Sequence, residues 1–276
     1  MNCIAIEQII VDWLKEYLKK SNQEGFVVGI SGGVDSALVS TLCALTKYPT
    51  LLLSLPIHQS ADQIKRARDH MTWLVGQAYA AGQKDNVALA EVDLTESFTT
   101  LKHHLRGEVQ EDELAMANMR SRLRMTTLYA YAGHNGYLVA GTGNRVEDYG
   151  IGFCTKFGDS AVDISPIGDL SKTQVWELAK HVGISKEITQ AVPTDGLWAD
   201  NRGDETQIGA SYAELEWAMG ICETKNYTDP LIYPSTTDIK FTPRQEIVLQ
   251  IYLQRHASSR HKFNPIPVCT IPKVIL

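Results

Sequence analysis

The stretch Ser31-Gly-Gly-Val-Asp-Ser36 places two hydroxyls, two glycines and one carboxylate within six residues. An apolar run at 26–30 precedes it and an apolar segment at 37–45 follows it. That order reads as strand, turn, helix. Glycines let a ligand approach the backbone closely. The start of a helix presents free N–H groups at its positive end. Together they make an anion site, and Ser31 and Ser36 can each donate to phosphate oxygens. Asp35 adds negative charge where a phosphate would be repelled. An aspartate beside a phosphate site makes sense if a divalent cation bridges the two. A second polar turn, Gly141-Thr-Gly-Asn-Arg-Val-Glu147, offers a hydroxyl at Thr142 and a carboxylate at Glu147. A lone Gly-Gly would be read as a tight turn and nothing more.

The elements that must position these groups alternate. Ile6, Ile9, Ile10, Trp13 and Tyr17 recur at helical spacing. Strands are predicted at 26–30, 51–55, 87–92 and 137–140, and helices at 37–45, 60–80 and 112–132. The β-α-β-α order predicts an α/β fold: a Rossmann-like, doubly wound, mostly parallel sheet with helices on both faces. Such sheets bind ligands beyond the carboxyl ends of their strands, where both polar turns fall. From 150 to 170 the periodicity lapses. Helices are expected at 172–182, 205–219 and 243–256, with a Gly-rich polar loop at 193–205. There is no repeat and no linker, so one domain spanning 1–276 is the simplest account.

The 276 residues are 44% hydrophobic, enough for a sizeable core, and the net charge is −6. That balance argues against a general nucleic-acid partner, which needs a basic footprint. Cys3, Cys43, Cys154, Cys222 and Cys269 are scattered and form no C-x-x-C pair. A disulfide framework or zinc site is not expected, and a reducing compartment fits. The N-terminus lacks a signal-peptide pattern, and no apolar run is long enough to span a bilayer. The expectation is a cytoplasmic protein without membrane contact. There is no Walker loop, and Gly141-Thr-Gly143 lacks the third glycine of a dinucleotide fingerprint.

Ser-Gly-Gly-Val-Asp-Ser after a strand resembles the PP-loop of the ATP-pyrophosphatase superfamily, whose fold is the adenine nucleotide alpha hydrolase type. Further stretches narrow the resemblance. They are NMRSRLRM (118–125), GTGNRVED (141–148), GFCTKFGDSAVDISPIGDLSKTQV (152–175), VPTDGLW (192–198) and DETQIGASY (204–212). In this order they resemble the ammonia-dependent NAD synthetase family, from about residue 25 to 220 and again at His261-Lys262. The resemblance implies a reaction. The nicotinate carboxylate of deamido-NAD attacks the α-phosphate of ATP, pyrophosphate leaves, and ammonia converts the acyl-adenylate to NAD and AMP. It implies Mg2+, ATP as co-substrate and a homodimer. No enzyme nucleophile is required, so catalysis would rest on positioning and charge stabilisation. The PP-loop strand starts only about two dozen residues from Met1, so no glutaminase domain is expected and ammonia itself is the nitrogen donor.

Residue by residue, the resemblance implies ATP contacts at Gly29, Ser31, Gly32, Gly33, Asp35, Ser36, Thr142, Lys172 and Thr194. It implies magnesium ligands at Asp35 and Glu147, and deamido-NAD contacts at Arg122, Lys156, Asp163, His261 and Lys262. Without it, Glu147 would be read as an exposed loop carboxylate. Lys172 opposes the dipole of the helix it begins, a conflict that a bound phosphate would relieve. Arg120 and Arg124 share the helical face away from Arg122 and read as a solvated surface. The family usually continues His-Lys with Arg, but Phe263 stands here, and 221–260 matches poorly. A basic pair in a solvated tail therefore competes with a substrate role for His261 and Lys262. Asp204-Glu205 reads as a helix cap. Trp198 is expected on a loop that closes over the nucleotide. The competing functions are another PP-loop ligase, such as a GMP synthetase, a tRNA-thiolating enzyme, or a regulatory adenine-nucleotide binder. The acidic balance and unpaired cysteines count against thiolation.

Overall fold

A computed structural model describes residues 1–194, 196–197, 203–225 and 240–271. Four parallel strands form one sheet in the order β3-β2-β1-β4. They are β1 (Gly25–Gly29), β2 (Thr50–Ser54), β3 (Val87–Glu91) and β4 (Tyr137–Val139). Phe26 is level with Thr50 on one side and with Leu138 on the other. Phe26, Val27 and Val28 are fully buried, as expected of a central parallel strand covered on both faces.

One face carries α1 (Cys3–Ser21), α2 (Val34–Leu45), α3 (Ala61–Ala80), α7 (Lys172–His181) and the short α8 (Lys186–Thr189). Leu14, Leu38, Leu42, Met71 and Leu178 pack there with Val28 and Leu52. The other face carries α4 (Thr95–His103), the one-turn α5 (Gly107–Gln110) and α6 (Glu113–Asn135). Phe98, Met116 and Ala132 meet Val27, Leu53 and Val139 there. Both the parallel sheet and its two-sided cover agree with the sequence. Helix α4 has no sequence signal because only Phe98 on it is buried. Helix α6 begins at the Asp112 cap, whose carboxylate accepts the Ala115 N–H, and ends at Gly136 in the left-handed conformation.

A third apolar cluster lies beyond the sheet. It joins a π-helix at Arg145–Ile151 to α9 (Asp204–Ile208), α10 (Tyr212–Lys225) and α11 (Pro243–Phe263). Trp176 of α7 packs against this cluster and against the sheet core. The single helix expected at 205–219 is two helices, because Gly209 turns left-handed between them. The helix expected to stop at 256 continues to Phe263, and its buried face extends to Ser259. Within 150–170, Ile164 makes a parallel bridge to Ala140 that prolongs the sheet beyond β4.

Candidate functional site

The sheet order puts β4 beside β1, and the connections from these two strands leave in opposite directions. Ligands bind α/β sheets at such a switch point. The turn after β1 and the turn after β4 meet there and line one cavity. The cavity gathers every candidate ATP residue: Gly29, Ser31, Gly32, Gly33, Asp35, Ser36, Thr142, Lys172 and Thr194. Glu147 lines it as well.

The 31–36 turn is held by its own hydroxyls. Ser36 Oγ donates to the Gly33 carbonyl at 3.0 Å and lies 3.1 Å from Ser31 Oγ. Ser31 Oγ accepts the Gly33 N–H at 3.2 Å. Gly32 has φ +82°, and a β-carbon on it would meet the Gln63 carbonyl at 2.6 Å, so no other residue fits that turn. Arg66 of α3 donates to the Gly32 carbonyl at 3.3 Å and also lines the cavity.

At the floor lies a buried ionic cluster. Lys172 Nζ donates to Asp35 Oδ2 at 2.7 Å and to Glu147 Oε1 at 2.8 Å, and its side chain is only 3% exposed. Asn144, wholly buried, donates to Asp35 Oδ1 at 3.0 Å and to Glu147 Oε2 at 2.7 Å. Tyr212, also wholly buried, sets its hydroxyl 2.5 Å from Glu147 Oε1 and 3.1 Å from Asp204 Oδ2. Burial pushes the Glu147 carboxyl above the usual carboxylate range; Lys172 opposes this shift, while Asp35 adds to it. Burial also disfavours the Lys172 ammonium, but the two carboxylates outweigh it and hold its pKa above the ordinary lysine value. Asp148 is raised well above its usual range by burial, then by Asp159 and Glu147.

Several sequence expectations change here. Glu147 sits in a π-helix with its side chain 14% exposed, so it is not a loop carboxylate. The dipole conflict at Lys172 is answered by Asp35 and Glu147 without any phosphate. Arg124 is not solvated: it lines the cavity and donates to the Leu55 carbonyl at 2.9 Å and to Gln59 Oε1 at 2.7 Å. Arg120 lies over the Phe98 ring and donates to the Leu197 carbonyl at 3.0 Å. Asp204 does more than begin a helix, since its buried carboxyl meets Tyr212. Sequence reasoning gave no part to Asn144 or Tyr212, although both stand inside the stretches GTGNRVED and DETQIGASY. Trp198 lies outside the described residues.

The candidate dinucleotide contacts do not join the cavity. Arg122, Lys156, Asp163, His261 and Lys262 are absent from its lining. Arg122 is exposed, and its Nε donates to the Lys156 carbonyl at 3.2 Å. Lys156 Nζ donates to the His261 carbonyl, and Lys262 Nζ donates to the carbonyls of Gly152 at 2.7 Å and Cys154 at 2.8 Å. These four are linked through backbone carbonyls of the 152–159 loop and the end of α11. Asp163 stands apart, where Oδ2 accepts the Val139 N–H at 2.7 Å and Oδ1 accepts from Tyr129 Oη at 3.2 Å.

The NAD synthase family model matches residues 6–264. The chain belongs to the NAD synthase family. Members are ligases whose known reaction is the ATP-dependent amidation of deamido-NAD with ammonia. The NH(3)-dependent NAD(+) synthetase of Carboxydothermus hydrogenoformans is 38% identical over 211 residues, which is 75% of this chain and 81% of the relative. Among solved structures, the NMN synthetase of Francisella tularensis superposes with a TM-score of 0.79 at 27% identity, covering 99% of each chain. The NH3-dependent NAD synthetase of Campylobacter jejuni gives 0.73 at 23%, covering 98% of this chain and 100% of that one. The family's ATP-dependent chemistry thus falls on a chain whose candidate ATP residues converge on one cavity. No helix among the described residues is long and apolar enough to cross a membrane.

Proposed function

We propose that this chain amidates the nicotinate carboxylate of deamido-NAD, using ATP and ammonia, and releases NAD, AMP and pyrophosphate. The observation that carries the reading is the convergence of the PP-loop, Thr142, Thr194, Lys172, Asp35 and Glu147 on one cavity at the switch point of the sheet. The carboxylate oxygen attacks the α-phosphorus of ATP as the bond to the pyrophosphate oxygen breaks. Ammonia then attacks the acyl carbon, AMP leaves with the carbonyl–oxygen bond pair, and the nitrogen sheds a proton to water. The turn at 31–36 receives the leaving pyrophosphate on its N–H groups and hydroxyls. Lys172, on the cavity wall, offers its ammonium to the phosphates.

The charge on the wall supports a role for Mg2+. Among the described residues, Asp35, Glu147, Asp159 and Asp204 line the cavity with Arg66, Arg124 and Lys172, before a polyphosphate enters. Asp35 and Glu147 are hard oxygen donors held together by Asn144, and they fit the ion. Among the described residues no three His, Cys, Asp or Glu side chains converge on one point. Mg2+ takes one or two carboxylates and fills its shell with phosphate oxygens and water, and Asp35 and Glu147 would supply the carboxylates. When bound, it would neutralise phosphate charge as pyrophosphate departs.

The acceptor's far end leaves the cavity over the rim of the 152–159 loop, towards Arg122 and Lys156. Asp163, His261 and Lys262 belong to the same reading through the resemblance. A homodimer, with the dinucleotide shared between subunits, would give the exposed Arg122 a ligand. A cytoplasmic setting completes the proposal and agrees with the five free thiols among the described residues.

A second reading has its own support. The Francisella tularensis protein, which superposes over nearly the whole of both chains, is an NMN synthetase. Nicotinate mononucleotide carries the same carboxylate and lacks the adenylate half. It would need none of the outer cations, and none of those cations lines the cavity. The deciding experiment follows pyrophosphate and product with ATP, Mg2+ and ammonium, comparing kcat/KM for the two acids. A preference for deamido-NAD supports the first reading, a preference for the mononucleotide the second. Turnover of neither defeats both.

A further inference from the structure

We propose that the end of α11 is a strut for the acceptor-side loop of the cavity, and that Lys262 is a positioning residue. The loop at 152–159 is irregular, and it places Phe153, Gly158 and Asp159 on the cavity wall. An irregular segment cannot satisfy its own carbonyls through a regular ladder, so partners must come from elsewhere. Here they come from α11. Lys262 Nζ donates to the Gly152 and Cys154 carbonyls at 2.7 and 2.8 Å. His256 Nδ1 lies 2.7 Å from the Gly150 carbonyl, so that nitrogen carries the proton. His256 is itself fixed, stacked on Tyr252 at 5.7 Å between ring centres.

Residues 256, 259 and 262 share one face of the helix by their spacing of three. Ser259, in the middle, is buried against Gly152. Gly152 has φ +60°, and a β-carbon there would overlap Ser259. The loop therefore enters against the helix at a point where only glycine fits. Lys156 closes the contact from the loop side by donating to the His261 carbonyl. The lysine ammonium has three donors, and two are used on loop carbonyls. Such charge-assisted bonds are the strong kind. Lys262 thus acts on the cavity through the loop that it braces, whatever contact the His261-Lys262 pair makes with the acceptor's far end.

This inference rests on reading the cavity as the site of amidation, but its first test does not. Hydrogen–deuterium exchange is measured on the full chain without substrates. In Lys262→Met, which removes both charge-assisted hydrogen bonds to the loop, amides at 150–158 should exchange at least about tenfold faster, while those of β1 and α2 stay as they were. The KM for the acceptor should rise about tenfold with the KM for ATP within about twofold. Lys262→Arg keeps donors at that end and should recover most of the protection. Unchanged exchange in Lys262→Met overturns the strut whatever the kinetics show, because a residue that only touches substrate protects nothing in its absence. Faster exchange spread over the whole chain overturns it too. Localised loss of protection with turnover of neither nicotinate nucleotide would leave the strut standing and defeat the functional reading.

Discussion

Lys172 and Asp35, 137 positions apart in the chain, meet through a 2.7 Å ion pair on the floor of the cavity. Glu147 completes the arrangement on the other side of the ammonium. The cation therefore holds two carboxylates together that would otherwise repel, at the place where the phosphates of ATP would arrive.

Replacing that cation tests the cluster. In Lys172→Met two carboxylates face each other with 17% and 14% exposure and no ammonium between them. Breaking a buried pair in this way costs about 3–5 kcal/mol. Urea unfolding should show a loss of that size, and added Mg2+ should restore more stability to the variant than to the parent. A loss under about 1 kcal/mol, the range of a surface pair, would show that the pair is effectively solvated.

Asp35→Asn separates chemistry from folding. The amide keeps the shape of the carboxylate, and Lys172 retains Glu147. Activity should fall by about a hundredfold or more, the scale for losing one electrostatic group at a reacting phosphate. The far-ultraviolet spectrum should be unchanged. Near-normal activity would remove Asp35 from the site.

Tyr212 acts one step further out. Its hydroxyl fixes Glu147 Oε1 and contacts Asp204. Groups that orient a metal-binding carboxylate typically contribute about 10–100-fold to affinity. Tyr212→Phe should weaken Mn2+ binding, followed by electron paramagnetic resonance in the presence of ATP, by about that factor. The phenylalanine ring still fills the space against Trp176, so stability should change far less than in Lys172→Met. Equal Mn2+ affinity in variant and parent would refute the orienting role.

His70 provides the pH dependence. It is 3% exposed, its Nε2 lies 2.9 Å from Ser40 Oγ, and burial pushes its pKa down to about 4. The unfolded chain then binds a proton near pH 6.5 that the folded chain refuses. Stability from the neutral ring is full above about 6.5 and is lost as pH falls towards about 4, by about 3 kcal/mol in all. The parent should lose urea resistance over this window faster than His70→Gln, whose side chain does not titrate. Parallel curves for the two proteins would count against the assignment.

Much of this was legible in the residues themselves. Alternating apolar segments determine a parallel sheet with helices on both faces, because only that arrangement buries such strands twice over. The turn at 31–36 announces a phosphate site through glycine geometry and helix-start N–H groups, both local properties. Every ATP residue named from the motifs lines the same cavity, while none of the five dinucleotide residues does.

What the sequence could not decide is who stands next to whom. Asp35, Asn144, Glu147, Lys172, Asp204 and Tyr212 come from five elements and the turn before one of them. They converge only because β4 pairs with β1 rather than with β3. Strand order is set by packing of the whole chain, and no local period encodes it. The π-helix at 145–151 carries no signal either, since its hydrogen bonds skip one residue more than an α-helix and shift the apolar pattern. The same holds for Arg124 and Lys262. A helical wheel gives the face of an arginine, and only the tertiary structure says whether that face meets water, a cavity or the carbonyls of a neighbouring loop.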